Sequence, residues 1–192
     1  MTGPVSSDGR GGPSALDAAA DDWLVAKARS GSMDAWEVLI HRHRDRIYRI
    51  ALRMVGSPED AEDIAQDVVL QLWTALASFA GNSMFTTWLY RVVVNRCINH
   101  VTGSRRHDEL AESDLAPAPG ADDQAVARHR LRAAISAVLD LPPELRAAIV
   151  LVDIEQLSYH EAAAILDIPE STVRGRLHRA RRRLLDHLQA WT

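Results

Sequence analysis

The sequence predicts an all-α protein made of two small helical domains joined by a flexible acidic linker. Apolar residues recur at helical spacing along most of the 192 residues, and no Asn-Gly or Asp-Gly turn joins two alternating segments. One stretch, 106–125, lacks this periodicity and contains Pro117 and Gly120, which is typical of a linker. We therefore expect one domain over 17–105 and a second over 126–192.

Four helices are predicted in the first domain, and the third has the clearest start. Gly31 and Gly56 end the first two helices. Ser57 can cap the third, Pro58 suits its first position, and Glu59 lies near the positive end of its dipole. The expected ranges are about 16–29, 33–55, 58–79 and 86–103.

Four more helices are predicted in the second domain. Leu141-Pro142-Pro143 ends the first and starts the next. Ser158 and Glu161 are spaced as a capping box, which opens the third. The expected ranges are about 124–140, 143–155, 159–166 and 169–189, with Leu131, Ala134, Ile135, Val138 and Leu139 on one apolar face of the first.

Composition limits the environment of the chain. Cys97 is the single cysteine, so no intramolecular disulfide can form, which suits a reducing cytosol. Cys97 also falls on an apolar helix face and is expected in the core. No apolar run approaches the ~20 residues of a membrane helix, and residues 1–16 have the Gly, Pro and Ser content of a disordered tail rather than a signal peptide. We expect a cytoplasmic protein without membrane insertion.

Acidic and basic residues are segregated although the net charge is only −4. Residues 57–70 contain five acids and no Lys or Arg, whereas residues 171–187 contain six arginines against Asp186. Such a chain can present an acidic surface to one partner and a basic surface to another.

The last two predicted helices, joined by about three residues, have the arrangement of a helix-turn-helix. In the final helix, one side carries residues that would pack on the domain: Val173, Leu177, Ala180, Leu184 and Leu188. The other side carries Gly175, His178, Arg179 and Arg182, flanked by Arg174. Arginines there can grip phosphates or read guanine edges in a major groove. The alternative is a solvated, arginine-rich helix end.

A polar stripe runs along the helix predicted at 86–103. Trp88, Arg91, Asn95 and Asn99 share one side, with Arg96 at its edge. The loop before it supplies Phe79, Asn82 and Phe85. Aromatic and basic groups around a groove suit an unpaired nucleic-acid strand, or a base flipped out of the stack. The alternative is that the aromatic residues belong to the core.

The helix predicted at 58–79 has an acidic outer face that also carries apolar residues. Asp63, Gln66, Asp67 and Leu70 lie opposite its buried face, and Trp73 lies at the border. An outward leucine and tryptophan beside acids indicate a protein-binding patch. The alternative is an ordinary solvated acidic helix.

Three segments, in this order, resemble the extracytoplasmic-function (ECF) group of the sigma-70 superfamily. DAEDIAQDVVLQLWTAL (60–76) resembles region 2.2, which docks on the clamp coiled coil of the polymerase β′ subunit. FAGNSMFTTWLYRVVVNRCINHVTGSRR (79–106) resembles regions 2.3 and 2.4, which open the promoter and read the −10 element. LPPELRAAIVLVDIEQLSYHEAAAILDIPESTVRGRLHRARRRL (141–184) resembles region 4, which reads the −35 element.

The resemblance implies roles for individual residues. Asp63, Gln66, Asp67 and Leu70 would contact polymerase, with Trp73 at the border, while Asn95 and Asn99 would face the −10 strand. The residues it places at the −35 element are Ser171, Thr172, Arg174, Gly175, Arg176, His178, Arg179 and Arg182. The sequence departs from the family at Gly175, where relatives often have a small residue such as serine, and at Ala80, where relatives can have a basic residue.

The partners implied are core RNA polymerase, through the β′ clamp coiled coil and the β flap, promoter DNA and an anti-sigma factor. No cofactor, metal or catalytic residue is expected. One rival hypothesis is a stand-alone helix-turn-helix regulator with a sensory N-terminal domain. A second is an all-α metalloenzyme using His41 and His43, but two residues two apart on a helix point to different faces.

Overall fold

The computed structural model of the protein describes residues 16, 18–79, 81, 83–108 and 123–189, with the backbone alone at 104–108, 123–130, 188 and 189. Within these ranges every regular element is helical, which confirms the predicted class. The N-terminal domain contains α1 (Asp21–Arg29), α2 (Met33–Val55), α3 (Pro58–Ala75) and α4 (Phe85–Asp108), and a 3-10 turn, Leu76–Ser78, extends α3. The C-terminal domain contains α5 (Asp123–Leu139), α6 (Pro143–Ile149), α7 (Tyr159–Leu166) and α8 (Glu170–Gln189), and a π-helical turn, Val150–Ile154, continues α6.

The predicted helix starts are confirmed by their hydrogen bonds. The Ser57 hydroxyl accepts from the Asp60 backbone N–H at 3.2 Å. The capping box is complete: the Ser158 hydroxyl accepts from the Glu161 backbone N–H at 3.2 Å, and a Glu161 carboxylate oxygen accepts from the Ser158 backbone N–H at 2.8 Å. The Ser158 hydroxyl also donates to the Glu161 carboxylate at 2.6 Å, and this bond, together with the one from the Ser158 backbone N–H, lowers the pKa of Glu161.

Two expectations about helices need correction. The first helix begins at Asp21 rather than near 16, because residues 18–20 form a turn and the acids Asp21 and Asp22 suit a helix N-terminus. The apolar face expected on α5 is largely exposed, with Leu131 61% and Ile135 50% accessible. Ala137 is buried instead, since α5 packs more extensively on α8 than on α2.

The core of the N-terminal domain forms where α1, α3 and α4 pack on α2. Leu39, Ile50, Val68 and Leu89 are fully buried there. Cys97 is fully buried as well, as expected, and desolvation raises the pKa of its thiol to about 12. The thiol is therefore neutral and acts as a small apolar side chain.

The two domains pack against each other at the C-terminal end of α2. Gly56 there has a φ of 86°, and a Cβ at this position would lie 2.5 Å from a methyl of Leu139. A side chain at Gly56 would therefore be strained, and the side chain of Leu139 would have to move to admit it. Arg146 of α6 is 3% exposed and donates to the backbone carbonyls of Met54 and Leu139, and to that of Leu141 at 3.2 Å.

The buried apolar residues of both domains accordingly form one continuous cluster. None of the helices in the described ranges combines the length and hydropathy needed to cross a bilayer.

Candidate nucleic-acid and protein interfaces

The acidic face predicted on the third helix is a real surface of α3. Asp63, Gln66 and Asp67 are exposed, and Leu70 is 68% exposed. Trp73 is 37% exposed, and its ring lies 5.3 Å from that of Trp36, measured between centroids. Leu70 and Trp73 together give this acidic face an exposed apolar area.

A groove of about 490 Å³ lies beside Leu70 between α2 and α3. The sequence did not point to its α2 wall, where Ile40 and Ile47 contribute apolar surface and Arg44 a positive charge. Their spacing could have revealed this wall, because Ile40 and Ile47 are seven residues apart and share one helix face. The complete lining is Ile40, Arg44, Ile47, Glu62, Ala65, Gln66, Val69 and Leu70.

The polar stripe of α4 faces outward as predicted. Asn95 and Asn99 are exposed, while Trp88 and Arg91 are half-buried. The opposite side of the helix is buried, and consists of Leu89, Tyr90, Val93, Val94, Cys97 and Val101. Two amides that the fold leaves in water remain available to a ligand.

The aromatic residues before α4 form one cluster. Phe79 lies 5.0 Å from Trp88 and 6.2 Å from Phe85, measured between ring centroids. Phe85 is only 1% exposed, so our prediction that it offers a stacking surface is wrong in this arrangement: it is a core residue that supports Phe79 and Trp88. Asn82, also predicted here, lies outside the described residues, as does Ala80.

The two arginines of the stripe contact other parts of the protein. Arg91 donates to the backbone carbonyl of Ala164 in α7 at 2.5 Å, and its guanidinium lies 3.8 Å from the Asp167 carboxylate. Its Nε is buried and has no hydrogen-bond partner among the described residues. Arg96 pairs with Asp67 of α3, so a predicted DNA contact and a predicted polymerase contact neutralise each other. That pair is about half exposed, and such pairs contribute only ~0–1 kcal/mol. A phosphate can therefore displace Asp67.

The final helix divides into the two faces that its sequence predicted. Val173, Leu177 and Ala180 are fully buried and Leu184 is half-buried. Residues on the other side are exposed, namely Ser171, Arg174, Gly175, His178, Arg179 and Arg182. Thr172 and Arg176 are half-buried between the two faces.

Arg174 lies near the start of α8 with only weak internal contacts. Its guanidinium is 3.4 Å from the Glu170 carboxylate and 5.3 Å from the centre of the Tyr159 ring. Apart from its chain neighbours and the nearby backbone of its own helix, no described atom lies within 4 Å of the position that a Cβ on Gly175 would take, so no packing contact in the described residues requires glycine there. The open backbone beside Arg174 instead allows another molecule to approach closely.

Arg181, by contrast, is held inside the domain. Its guanidinium donates to both oxygens of Asp153, at 3.0 and 2.6 Å, and these bonds raise its pKa. Arg181 was not among the predicted DNA contacts, and the structure gives it a structural role.

The two histidines considered as metal ligands, His41 and His43, lie in different environments. His41 is exposed, whereas His43 is buried and hydrogen-bonded to Asp21 at 2.8 Å and to the Tyr90 hydroxyl at 3.3 Å. Across the described ranges, no three His, Cys, Asp or Glu side chains are grouped so that they could hold a metal ion.

Two family models match the chain, one on each domain. Sigma-70 region 2 matches residues 39–107, and Sigma-70, region 4 matches residues 131–184. The first matched segment includes the surfaces of α3 and α4, and the second includes most of α8.

Several known sigma factors are similar to most of the chain. The ECF RNA polymerase sigma factor SigE of Mycolicibacterium smegmatis is 38% identical over 168 residues, which are 85% of this chain and 65% of that protein. The RNA polymerase sigma-H factor of Pseudomonas aeruginosa and the ECF RNA polymerase sigma-E factor of Escherichia coli are each 32% identical over 181 residues, covering 88% of this chain and 94% of theirs.

Solved structures agree with these relatives. CnrH, solved with the cytosolic domain of CnrY, aligns with a TM-score of 0.68 at 29% identity and covers 90% of this chain and 99% of its own. The sigma factor RpoE of Bartonella quintana, solved with the anti-sigma factor NepR, gives 0.60 at 25% identity over 78% of this chain and 94% of its own. The chain therefore belongs to the ECF group of the sigma-70 family, whose members are not enzymes but subunits that direct RNA polymerase to promoters and initiate transcription.

Proposed function

We propose that three separate surfaces of this chain perform the three tasks of an ECF sigma factor. Region 2, over 17–105, binds core polymerase through α3 and the −10 strand through α4, and region 4, over 126–192, binds the −35 element through α8. The observation that carries this proposal is that all three surfaces are exposed on different helices within one structure. Each partner can therefore be assigned its own helix.

The α3 surface suits a protein rather than DNA. Its acids would repel phosphates, whereas Leu70 and the groove between α2 and α3 offer apolar area to an inserted side chain. The family resemblance assigns the β′ clamp coiled coil to this surface and the β flap to region 4.

The α4 surface suits an unpaired strand. Trp88 and Phe79 offer partly exposed rings, and stacking contributes ~1–3 kcal/mol per base. Asn95 and Asn99 can hydrogen-bond to base edges that are accessible only after melting. Because this surface binds the strand better when it is unpaired, binding shifts the DNA toward the open state.

The α8 surface suits duplex DNA. Arg174, His178 and Arg182 project from the exposed face of the second helix of the helix-turn-helix, the element that enters a major groove in such motifs. Arg174 and Gly175 lie in the N-terminal half, where base edges are contacted. We assign phosphate contacts to Arg179 and Arg182.

Control by an anti-sigma factor is supported by the complexes in which the relatives were solved, CnrH with the cytosolic domain of CnrY and RpoE with NepR. We propose that this chain works in the cytoplasm under such a partner, which would hold it at the membrane if the partner is itself anchored there.

A binding assay with polymerase holoenzyme tests the −10 assignment. On a promoter selected by the holoenzyme from random DNA, a fork with an unpaired −10 non-template strand should bind better than the intact duplex. Replacing Asn95 and Asn99 together by alanine should reduce this preference about tenfold, because each amide contributes ~1 kcal/mol or less of net hydrogen bonding. The affinity for a duplex carrying only the −35 element is the control and should not change. An unchanged fork preference would remove both amides from the −10 site.

A further inference from the structure

A single buried carboxylate joins the two domains. Glu155, just after the π-helical turn of the C-terminal domain, has a side chain that is 4% exposed. It lies 3.1 Å from Arg46 Nε and 3.6 Å from Arg49 Nη2, and it also pairs with Arg53. Arg46 additionally donates to the Glu155 backbone carbonyl at 3.1 Å. All three arginines belong to α2 of the N-terminal domain.

Glu155 offsets the mutual repulsion of the three arginines of α2. Arg46, Arg49 and Arg53 share one face of α2, being three, four and seven residues apart, so their like charges repel each other. Arg46 is fixed further, since its guanidinium lies 5.1 Å from the centre of the Tyr90 ring in α4. All three arginines pair with the same carboxylate, and that carboxylate belongs to the other domain.

The backbone around Glu155 departs from regular helix to place it there. Val150–Ile154 is a π-helical turn, and Gln156 has a φ of 58°, which is uncommon for a residue other than glycine. π-Helical turns and left-handed non-glycine residues carry a conformational cost and concentrate at functional sites. Here both flank the residue that crosses to the other domain.

The same domain contact covers part of the α4 stripe. Arg91 is bonded to Ala164 of α7 and lies near Asp167, the turn residue of the helix-turn-helix. Because α7 packs directly on α8, the stripe lies within about two helix diameters, ~20 Å, of the duplex-binding helix. Elements at −10 and −35 are about 25 base pairs apart, ~85 Å along B-form DNA at ~3.4 Å per base pair. The arrangement seen here cannot contact both.

We propose that Glu155 and the three arginines of α2 form a charge latch that holds free protein in this closed arrangement, with Arg91 turned away from DNA. The latch opens when the two domains engage the two promoter elements. The latch itself rests on the contacts described, whereas its effect on transcription rests on the proposed function of α4 and α8.

Distance measurement on the full chain, without polymerase or DNA, tests the latch. Labelled cysteines replace the exposed residues Glu37 and Arg183, while the buried Cys97, with its raised thiol pKa, stays unlabelled. The unsubstituted protein should give one short interdomain distance, and added salt should change it little, because the buried Glu155 is poorly screened. Glu155→Gln should give a broader, longer distribution at the same salt concentration, as should Arg46→Gln with Arg53→Gln.

Asp153→Asn is the matched control. It removes the same charge two residues earlier, but Asp153 pairs with Arg181 inside its own domain, so the interdomain distance should not change. Combining Glu155→Gln with the two arginine replacements should open the protein no further than either alone, because both act on one contact. Far-UV circular dichroism confirms that each variant stays folded. A distance distribution for Glu155→Gln identical to that of the unsubstituted protein, or equal opening by Asp153→Asn, would overturn the latch.

A second readout separates the latch from its consequence. If closure limits promoter binding, Glu155→Gln should bind a DNA fork that carries both promoter elements about fivefold more tightly than the original protein, since apparent affinity scales with the open fraction. An opened variant with unchanged affinity for this fork would leave the latch standing and refute its regulatory role.

Discussion

Replacing Leu70 by alanine should weaken the binding of core RNA polymerase about thirtyfold, or ~2 kcal/mol. Leu70 is the most exposed large apolar residue of α3 and borders the groove between α2 and α3. Full burial of a leucine side chain contributes ~1.5–3 kcal/mol, and alanine would lose most of it. Alanine is the best helix former, so the fold should be unaffected. Equilibrium titration of labelled protein with core polymerase measures the change.

Met33→Ala is the matched control for this replacement. Met33 is a similarly sized apolar residue, 57% exposed, at the start of α2 and away from the groove. We expect its affinity for polymerase to stay within twofold of the original. Equal losses in the two variants would mean that polymerase does not bind through the α3 surface.

Replacing Arg174 by alanine should weaken binding of the holoenzyme to −35 DNA about tenfold, within the ~1–3 kcal/mol of a good arginine–guanine contact. In the free protein the side chain of Arg174 is 64% exposed, and its ion pair and ring contact in the described part of the chain are with Glu170 and Tyr159. Both contacts are on the surface and contribute little, so exchanging them for DNA is favourable. Gel-shift titration with duplexes that differ only in the −35 element measures the loss and shows whether sequence discrimination falls with it.

Arg183→Ala separates base reading from simple loss of charge. Arg183 is exposed on the same helix, nine residues further along and hence on the opposite side. It should change −35 binding by less than twofold at physiological salt. If Arg174→Ala weakens all sequences equally, its contact is to phosphate; if it weakens none, α8 does not read this element through Arg174.

Local features of the structure were predictable because they depend on residues close in sequence. Ser57 and the pair Ser158 and Glu161 fix two helix starts through bonds that span only three residues. The outward stripe of Asn95 and Asn99 follows from helical spacing alone, as does the exposed side of α8. For such features, periodicity and capping chemistry are sufficient.

Contacts between distant residues were not predictable in this way. The burial of Phe85 depends on how α4 meets α2, and the exposure of Leu131 depends on where α5 lies on α8. The bond from Arg91 to Ala164 spans 73 residues, and that from Arg46 to Glu155 spans 109. A single sequence shows that these residues are charged or apolar, but not which of them meet.

Run-off transcription with purified core polymerase tests the central claim most directly. On a promoter selected by the holoenzyme, core polymerase alone should give no defined transcript, and added protein should give one from a single start. The Asn95 and Asn99 double variant and the Arg174 variant should each reduce it. Two results would contradict the account. One is that a promoter bound by the holoenzyme gives no transcript when the protein is present, and the other is that core polymerase alone gives the same transcript.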